Sequence, residues 1–223
     1  VSGASARAGV LFDLDGTLAD TAPDLAAALN ATRRAAGHPP LPLAQIRPHV
    51  SHGAAALIRL GFGLTPEDSA YPPIRDHLLT HYRDHIAEQT RLFPGITDLL
   101  DTLVAQALPW GIVTNKPGWL TTPLVAALPL PHPPATVVSG DTLAQSKPAP
   151  EPLWHACREA GCAPERTLYI GDAARDIEAG KRAGMVTLAA RYGYVEPADA
   201  IEQWGADAII DQVAAIHAWL PRL

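Results

Sequence analysis

The sequence predicts an α/β fold: a parallel, Rossmann-like sheet core covered by helices, with a helical cap domain inserted after the first strand. Short runs rich in Val and Ile recur with helix-like stretches between them, the alternation that parallel crossovers produce. The first run is separated from the second by residues 18–91, a segment with a different rhythm and no convincing strand. The chain has 223 residues, 48% of them hydrophobic and 18% charged, enough for a large core and a smaller domain.

Residues 9–13 (GVLFD) form an apolar run that ends abruptly in acid and then glycine, as a buried strand does where it opens into a loop. Runs of the same form follow at 110–114 (WGIVT), 136–139 (TVVS), 167–171 (TLYIG), 186–189 (VTLA) and 208–210 (AII). Helices are expected between them at 96–106, 121–128, 151–160, 173–183 and 212–220. Within the insert, residues 23–36 place Leu25 and Leu29 on one helical face, with Pro23 in the first turn and Gly37, Pro39 and Pro40 as a stop. Further helices are expected at 53–60 and 76–89, the second set off by Pro72 and Pro73. Hinges at 17–20 and 91–95 then divide the chain into a core of residues 1–17 and 92–223 and a helical insert of residues 18–91. The segment 129–134 (PLPHPP) reads as a rigid loop before the third strand.

A net charge of -6 and the lack of a basic stripe with interleaved aromatics argue against a nucleic-acid partner. Cys157 and Cys162 form neither a CxxC pair nor a four-ligand zinc pattern, and they read as reduced. No run reaches the roughly 20 apolar residues of a spanning helix, and the opening residues lack the apolar core of a signal peptide. A cytoplasmic protein with no membrane partner is expected, as a monomer or homodimer.

Asp13 and Asp15 lie in DLDGT where the first strand ends, and extended backbone turns both to the same side. Carboxylates held so close are expensive without a counter-charge. A hard divalent cation meets that need, since magnesium favours oxygen ligands and is commonly held by one or two carboxylates with substrate phosphate. Asp172 and Asp176, in GDAARD after strand 167–171, form a second acidic group on the same sheet edge. Thr114 and Asn115 follow another strand and can meet phosphoryl oxygen, and Lys147 can bring an ammonium to that edge. Lys116 and Arg191 are candidates for either substrate contact or a surface salt bridge. Ser51, His52 and Gly53 open a cap helix whose free N–H groups could meet an anionic part of a substrate, although His52 taken alone also suits a surface or capping role.

DLDGT at 13–17, IVTN at 112–115, SKP at 146–148 and GDAARD at 171–176 resemble, in order, the four dispersed motifs of the haloacid dehalogenase superfamily. DLDGTLADTAPDL and VTNKP resemble its phosphoglycolate phosphatase branch, and WGIVTNKP with RYGY and WGAD resembles bacterial N-acetylmuramic acid 6-phosphate phosphatases. The resemblance implies that Asp13 attacks phosphorus, while Asp15 protonates the leaving alcohol and then activates water. It also implies Mg2+ held by Asp13, the backbone carbonyl of Asp15 and Asp172, with Asp176 as a near or water-mediated ligand, and Thr114, Asn115 and Lys147 on the phosphoryl group. Dehalogenating members lack the acid/base aspartate, so Asp15 points away from dehalogenation. The implied substrate is a small phosphorylated metabolite that carries a carboxylate, either N-acetylmuramic acid 6-phosphate or phosphoglycolate. A phosphomutase sharing the same aspartates, and a non-catalytic regulatory protein on the same fold, are the alternatives.

Overall fold

A computed structural model describes residues 7–196 and 199–223. The first six residues of the expected core lie outside the described residues.

Strand β1 (Arg7–Phe12) is buried on both faces from Ala8 onward, the environment of a central parallel strand. It pairs in parallel with β4 (Trp110–Val113) on one side and with β6 (Cys162–Gly171) on the other. Outward lie β5 (Thr136–Val138) beyond β4, and β7 (Val186–Ala190) and β8 (Ala208–Ile210) beyond β6, giving the order β5-β4-β1-β6-β7-β8. The chain fills one half of the sheet, crosses over β1 and fills the other. That crossing leaves the carboxyl ends of β4, β1 and β6 side by side at a topological switch point, where open α/β sheets bind their ligands.

Alternate side chains of the strands serve the two faces. Leu11, Val113 and Tyr169 meet Leu153, Ala156 and Cys157 of α7 (Glu151–Ala160) and Ala179 of α8 (Ala174–Ala183). Val10, Phe12, Ile112 and Ile170 join the opposite core with Leu99 and Leu103 of α5 (Ile96–Ala105) and Leu124 of α6 (Gly118–Ala127). Truncating a side chain such as Leu11 to alanine costs about 2–5 kcal/mol in such packing.

Between β1 and β4 stands a helical insert: α1 (Ala22–Ala35), α2 (Leu43–Ile46), α3 (Gly53–Phe62) and α4 (Tyr71–Asp84), with α1 against the other three. Leu25, Leu29, Ile46, Leu57, Leu78 and Tyr82 fill it, continuous with the core beneath the sheet. An antiparallel ribbon, β2 (Ala19–Asp20) with β3 (Arg91–Leu92), closes its base. Asp24 ties entry to exit by accepting the N–H groups of Gln89 and Thr90, each at 2.9 Å, and the Thr90 hydroxyl at 2.7 Å.

Several boundaries differ from the sequence reading. Helix α4 starts at Tyr71, so Pro72 and Pro73 sit in its first turn, where a missing N–H leaves no bond unmade. It stops at Asp84, and the chain beyond turns back toward Asp24. The expected helix at 212–220 is a 3-10 helix over Val213–Ala218, whose period of three buries both Val213 and Ile216. The ribbon strands have two residues each, too few for a periodic signal. No helix among the described residues is long and apolar enough to cross a membrane.

Candidate active site

Asp13 continues the line of β1, and its N–H donates to the Ile170 carbonyl at 2.9 Å, which fixes it beside the end of β6. Asp172 follows β6 directly, and Asp176 lies in the first turn of α8, where its carboxylate accepts the Ala173 N–H at 3.1 Å. One oxygen from each of these buried carboxylates lies within 4.8 Å of the others. Two glycines make that meeting possible. Gly16 has φ +83°, and a Cβ there would strike the Asp172 carboxylate; a Cβ at Gly171 would strike the side chain of Asp176.

Lys147 is the buried counter-charge. Its ammonium donates to the Val113 carbonyl and the Tyr169 hydroxyl, both at 2.8 Å, and lies 2.7 Å from Asp176 and 2.9 Å from Asp13. The Asn115 amide donates to the Lys147 carbonyl at 2.8 Å and accepts the Lys147 N–H at 3.0 Å, so it fixes the lysine's loop. Thr114 is buried at the end of β4, and its hydroxyl accepts the Lys116 N–H at 3.2 Å.

Negative charge remains in excess. Burial, and after it Asp176, raises the pKa of Asp13 against the pull of Lys147 and Arg175. Asp172 is pushed up to about 7 by burial and by Asp13 and Asp176, although bonds from Ser51 and the Tyr194 N–H oppose the shift. Lys147 approaches Asp13 Oδ1 without the alignment of a hydrogen bond, so this buried oxygen has no hydrogen bond among the described residues. Clustered carboxylate oxygens, one of them unbonded, fit a hard divalent cation.

Asp15 faces the insert side. Its oxygens accept the Lys116 ammonium at 3.0 and 3.2 Å and the Thr21 hydroxyl at 2.5 Å. The Lys116 ammonium also lies 4.6 Å from the ring centroid of Tyr82 on α4. Burial opposes the Lys116 charge, but Asp15 and Tyr82 outweigh it and push the pKa up. A cavity of about 300 Å³ opens between sheet edge and insert, lined by Asp13, Asp15, Thr114, Asn115, Lys116 and Arg175 on one side. Ser51, His52, Gly53, Arg75, Leu79 and Tyr82 line it from the insert. Asp172, Asp176 and Lys147 are buried against Asp13 and do not line it. Arg191 lies elsewhere: it follows β7 and pairs at the surface with Glu202 at 2.6 Å and Asp211 at 3.1 Å. Of its two sequence readings, the surface salt bridge is the one realised.

The sequence profile of the haloacid dehalogenase-like hydrolases matches residues 10–190. The chain belongs to that family. It is 44% identical over 202 residues to the N-acetylmuramic acid 6-phosphate phosphatase of Pseudomonas aeruginosa, covering 91% of this chain and 89% of that one. It is 37% identical over 212 residues to the phosphoglycolate phosphatase of Chromobacterium violaceum, covering 93% and 94%. The crystal structure of a predicted phosphoglycolate phosphatase from Haemophilus somnus 129PT superposes with a TM-score of 0.83 at 27% identity, covering 97% of this chain and 99% of that one. Within the haloacid dehalogenase-like hydrolases, this chain is a phosphatase.

Three residues of this hydrolase escaped the sequence reading. Tyr169 sits between Leu168 and Ile170 on β6 and so points to the opposite face, where its hydroxyl contacts Lys147 and donates to the Val113 carbonyl at 3.1 Å. A hydroxyl between the aliphatic Leu168 and Ile170 was its only signal. Arg175, the one base inside GDAARD, donates its guanidinium to the Ser51 carbonyl. Burial disfavours its charge, but Asp176, Asp13 and Asp172 prevail and push its pKa up. Tyr82 had no local signal; its buried hydroxyl has no hydrogen bond among the described residues, and burial pushes its pKa up to about 12.

Proposed function

We propose that this phosphatase is a magnesium-dependent phosphate-monoester hydrolase working through a phosphoaspartate at Asp13, with residues 18–91 as a cap over a core of residues 1–17 and 92–223. The observation that carries this reading is the buried convergence of Asp13, Asp172 and Asp176 beside Lys147, with Asp13 Oδ1 free of hydrogen bonds among the described residues. Asp13, the Asp15 carbonyl, Asp172 and Asp176 would hold Mg2+. When bound, the ion offsets phosphoryl charge, so that an anionic carboxylate can approach an anionic phosphate.

Asp13 then attacks phosphorus while the bond to the leaving oxygen breaks. Asp15 gives its proton to that oxygen and later takes one from the water that cleaves the phosphoaspartate. Lys147 and Thr114 steady the phosphoryl oxygens, and Asn115 contributes by holding the Lys147 loop. For Asp15 to carry a proton, the Lys116 ammonium has to swing off it; an anion entering the cavity offers Lys116 a competing partner.

The substrate assigned is a small carboxylate-bearing phosphate, N-acetylmuramic acid 6-phosphate or phosphoglycolate, and the cavity favours the first. Lys116, Arg75 and Arg175 supply cationic lining for a second anion, while Leu25, Leu57, Leu79 and Leu120 supply apolar surface that a two-carbon acid leaves uncovered. The volume of about 300 Å³ falls at the lower end of the roughly 300–1,000 Å³ typical of small-molecule pockets. A cytoplasmic setting agrees with Cys157 and Cys162 both being free.

Rates with both compounds, with sugar phosphates and with nucleotides, each with and without Mg2+, test the assignment. A preference for the muramic compound of at least about tenfold in kcat/KM, or roughly 1.4 kcal/mol, with release of inorganic phosphate, supports it. A preference for phosphoglycolate moves the assignment to that substrate, and an isomeric phosphate formed without release indicates a mutase.

A further inference from the structure

Ser51 makes two contacts that cross from the insert to the sheet edge. It lies in the 3-10 segment Arg47–His52, and its hydroxyl donates to Asp172 Oδ2 at 2.7 Å across 121 positions of sequence. Its carbonyl accepts the Arg175 guanidinium. Asp172 Oδ2 also accepts the Tyr194 N–H at 3.0 Å, whereas among the described residues Oδ1 has only a 3.5 Å contact from the Thr17 hydroxyl. One oxygen of Asp172 is thus committed to protein donors, and the other is left for a further partner.

Tyr194 and Thr17 belong to the sheet side of the molecule, so their bonds to Asp172 do not depend on the insert. The Ser51 bond does. Outer partners that hold the second oxygen of a metal-ligating carboxylate fix its orientation and support metal affinity. Arg175 adds a latch, because gripping the Ser51 carbonyl keeps the neighbouring hydroxyl over Asp172.

We propose that Ser51 is a positioning residue for the cation site: a hydroxyl delivered by the helical insert that orients Asp172, so that seating of the insert and cation affinity strengthen each other. This rests on the reading of Asp13, Asp172 and Asp176 as a magnesium site. Linkage makes the coupling reciprocal, so the cation also favours the seated insert.

The test is calorimetric titration of the folded protein with Mg2+ alone, free of substrate, for wild type, S51A and S51T. S51A is expected to weaken Mg2+ binding about tenfold, the lower end of what losing an outer partner costs a metal ligand. S51T keeps the hydroxyl and restores the affinity, a rescue that a merely structural role does not predict. In the wild-type protein, Mg2+ should also slow amide hydrogen exchange across residues 43–62, a measurement that needs no variant to fold. Wild-type affinity in S51A, or exchange across 43–62 that ignores Mg2+, overturns the role of Ser51 while leaving the metal site intact. Failure of the wild-type protein to bind Mg2+ overturns the metal reading itself, and the inference with it.

Discussion

Asp13, Asp172 and Thr114 extend from strands paired on both sides, whereas Asp15, Lys116, Ser51 and Tyr82 meet across the gap between that sheet and the helical insert. The first group cannot shift without breaking ladder hydrogen bonds. The second holds its geometry only while the insert is seated, through contacts such as Ser51 to Asp172 and Lys116 over Tyr82. On the proposed mechanism the nucleophile and its cation site would therefore sit on the rigid edge, whereas proton transfer by Asp15 and recognition of a particular ester would depend on the seated insert.

Substitution at the rigid edge should have the largest effect. D13N removes the proposed nucleophile without changing shape and should lower kcat by at least about 10³-fold with metal and substrate saturating. Near-normal turnover by D13N removes the distinction between the two regions altogether.

The charge of that edge predicts an intermediate effect. The folded pKa of Asp172 is about 7 against an ordinary 3.8, so between those values the folded state binds more protons than the unfolded state. The contribution of Asp172 to the stability of the metal-free protein should accordingly be full below that window and be lost as pH rises through about 7. Mg2+ competes with the proton and should stabilise most above pH 7, which thermal melts across pH with and without the ion can check.

On the insert side, Y82F deletes a buried hydroxyl that has no hydrogen bond among the described residues. It should leave stability within about 1 kcal/mol, since no bond is lost, and change KM for the native substrate more than kcat. An equal fall in kcat and kcat/KM would instead place Tyr82 with the rigid group. R191A should have the smallest effect, under about 1 kcal/mol with kcat/KM unchanged, because its ion pairs are at the surface.

The same contrast explains what the sequence revealed. Short Val and Ile runs ending in Asp, Gly-Asp or Thr-Asn announce strand ends locally, so the sheet and the place of Asp13, Asp172 and Thr114 at its carboxyl edge were legible before the fold was known. Ser51 was singled out as part of a helix N-terminus, yet α3 has no side-chain cap and the serine hydroxyl turns to Asp172 instead. Arg175 and Tyr82 gain their meaning from partners 124 positions away, in Ser51, and 34 positions away, in Lys116 (116 − 82). Contacts at such separation leave no periodic trace in the chain.

The most direct measurement uses D15N with an aryl phosphate whose leaving group needs no proton, since this variant lacks both the acid for the leaving oxygen and the base for water; it should form the phosphoenzyme and then be unable to cleave it. Acid quenching of D15N with Mg2+ and the aryl phosphate, borohydride reduction and peptide mapping should convert position 13 to homoserine in proportion to the phenol released. Release of the phenol with Asp13 left unmodified, or modification at a different carboxylate, would contradict the account.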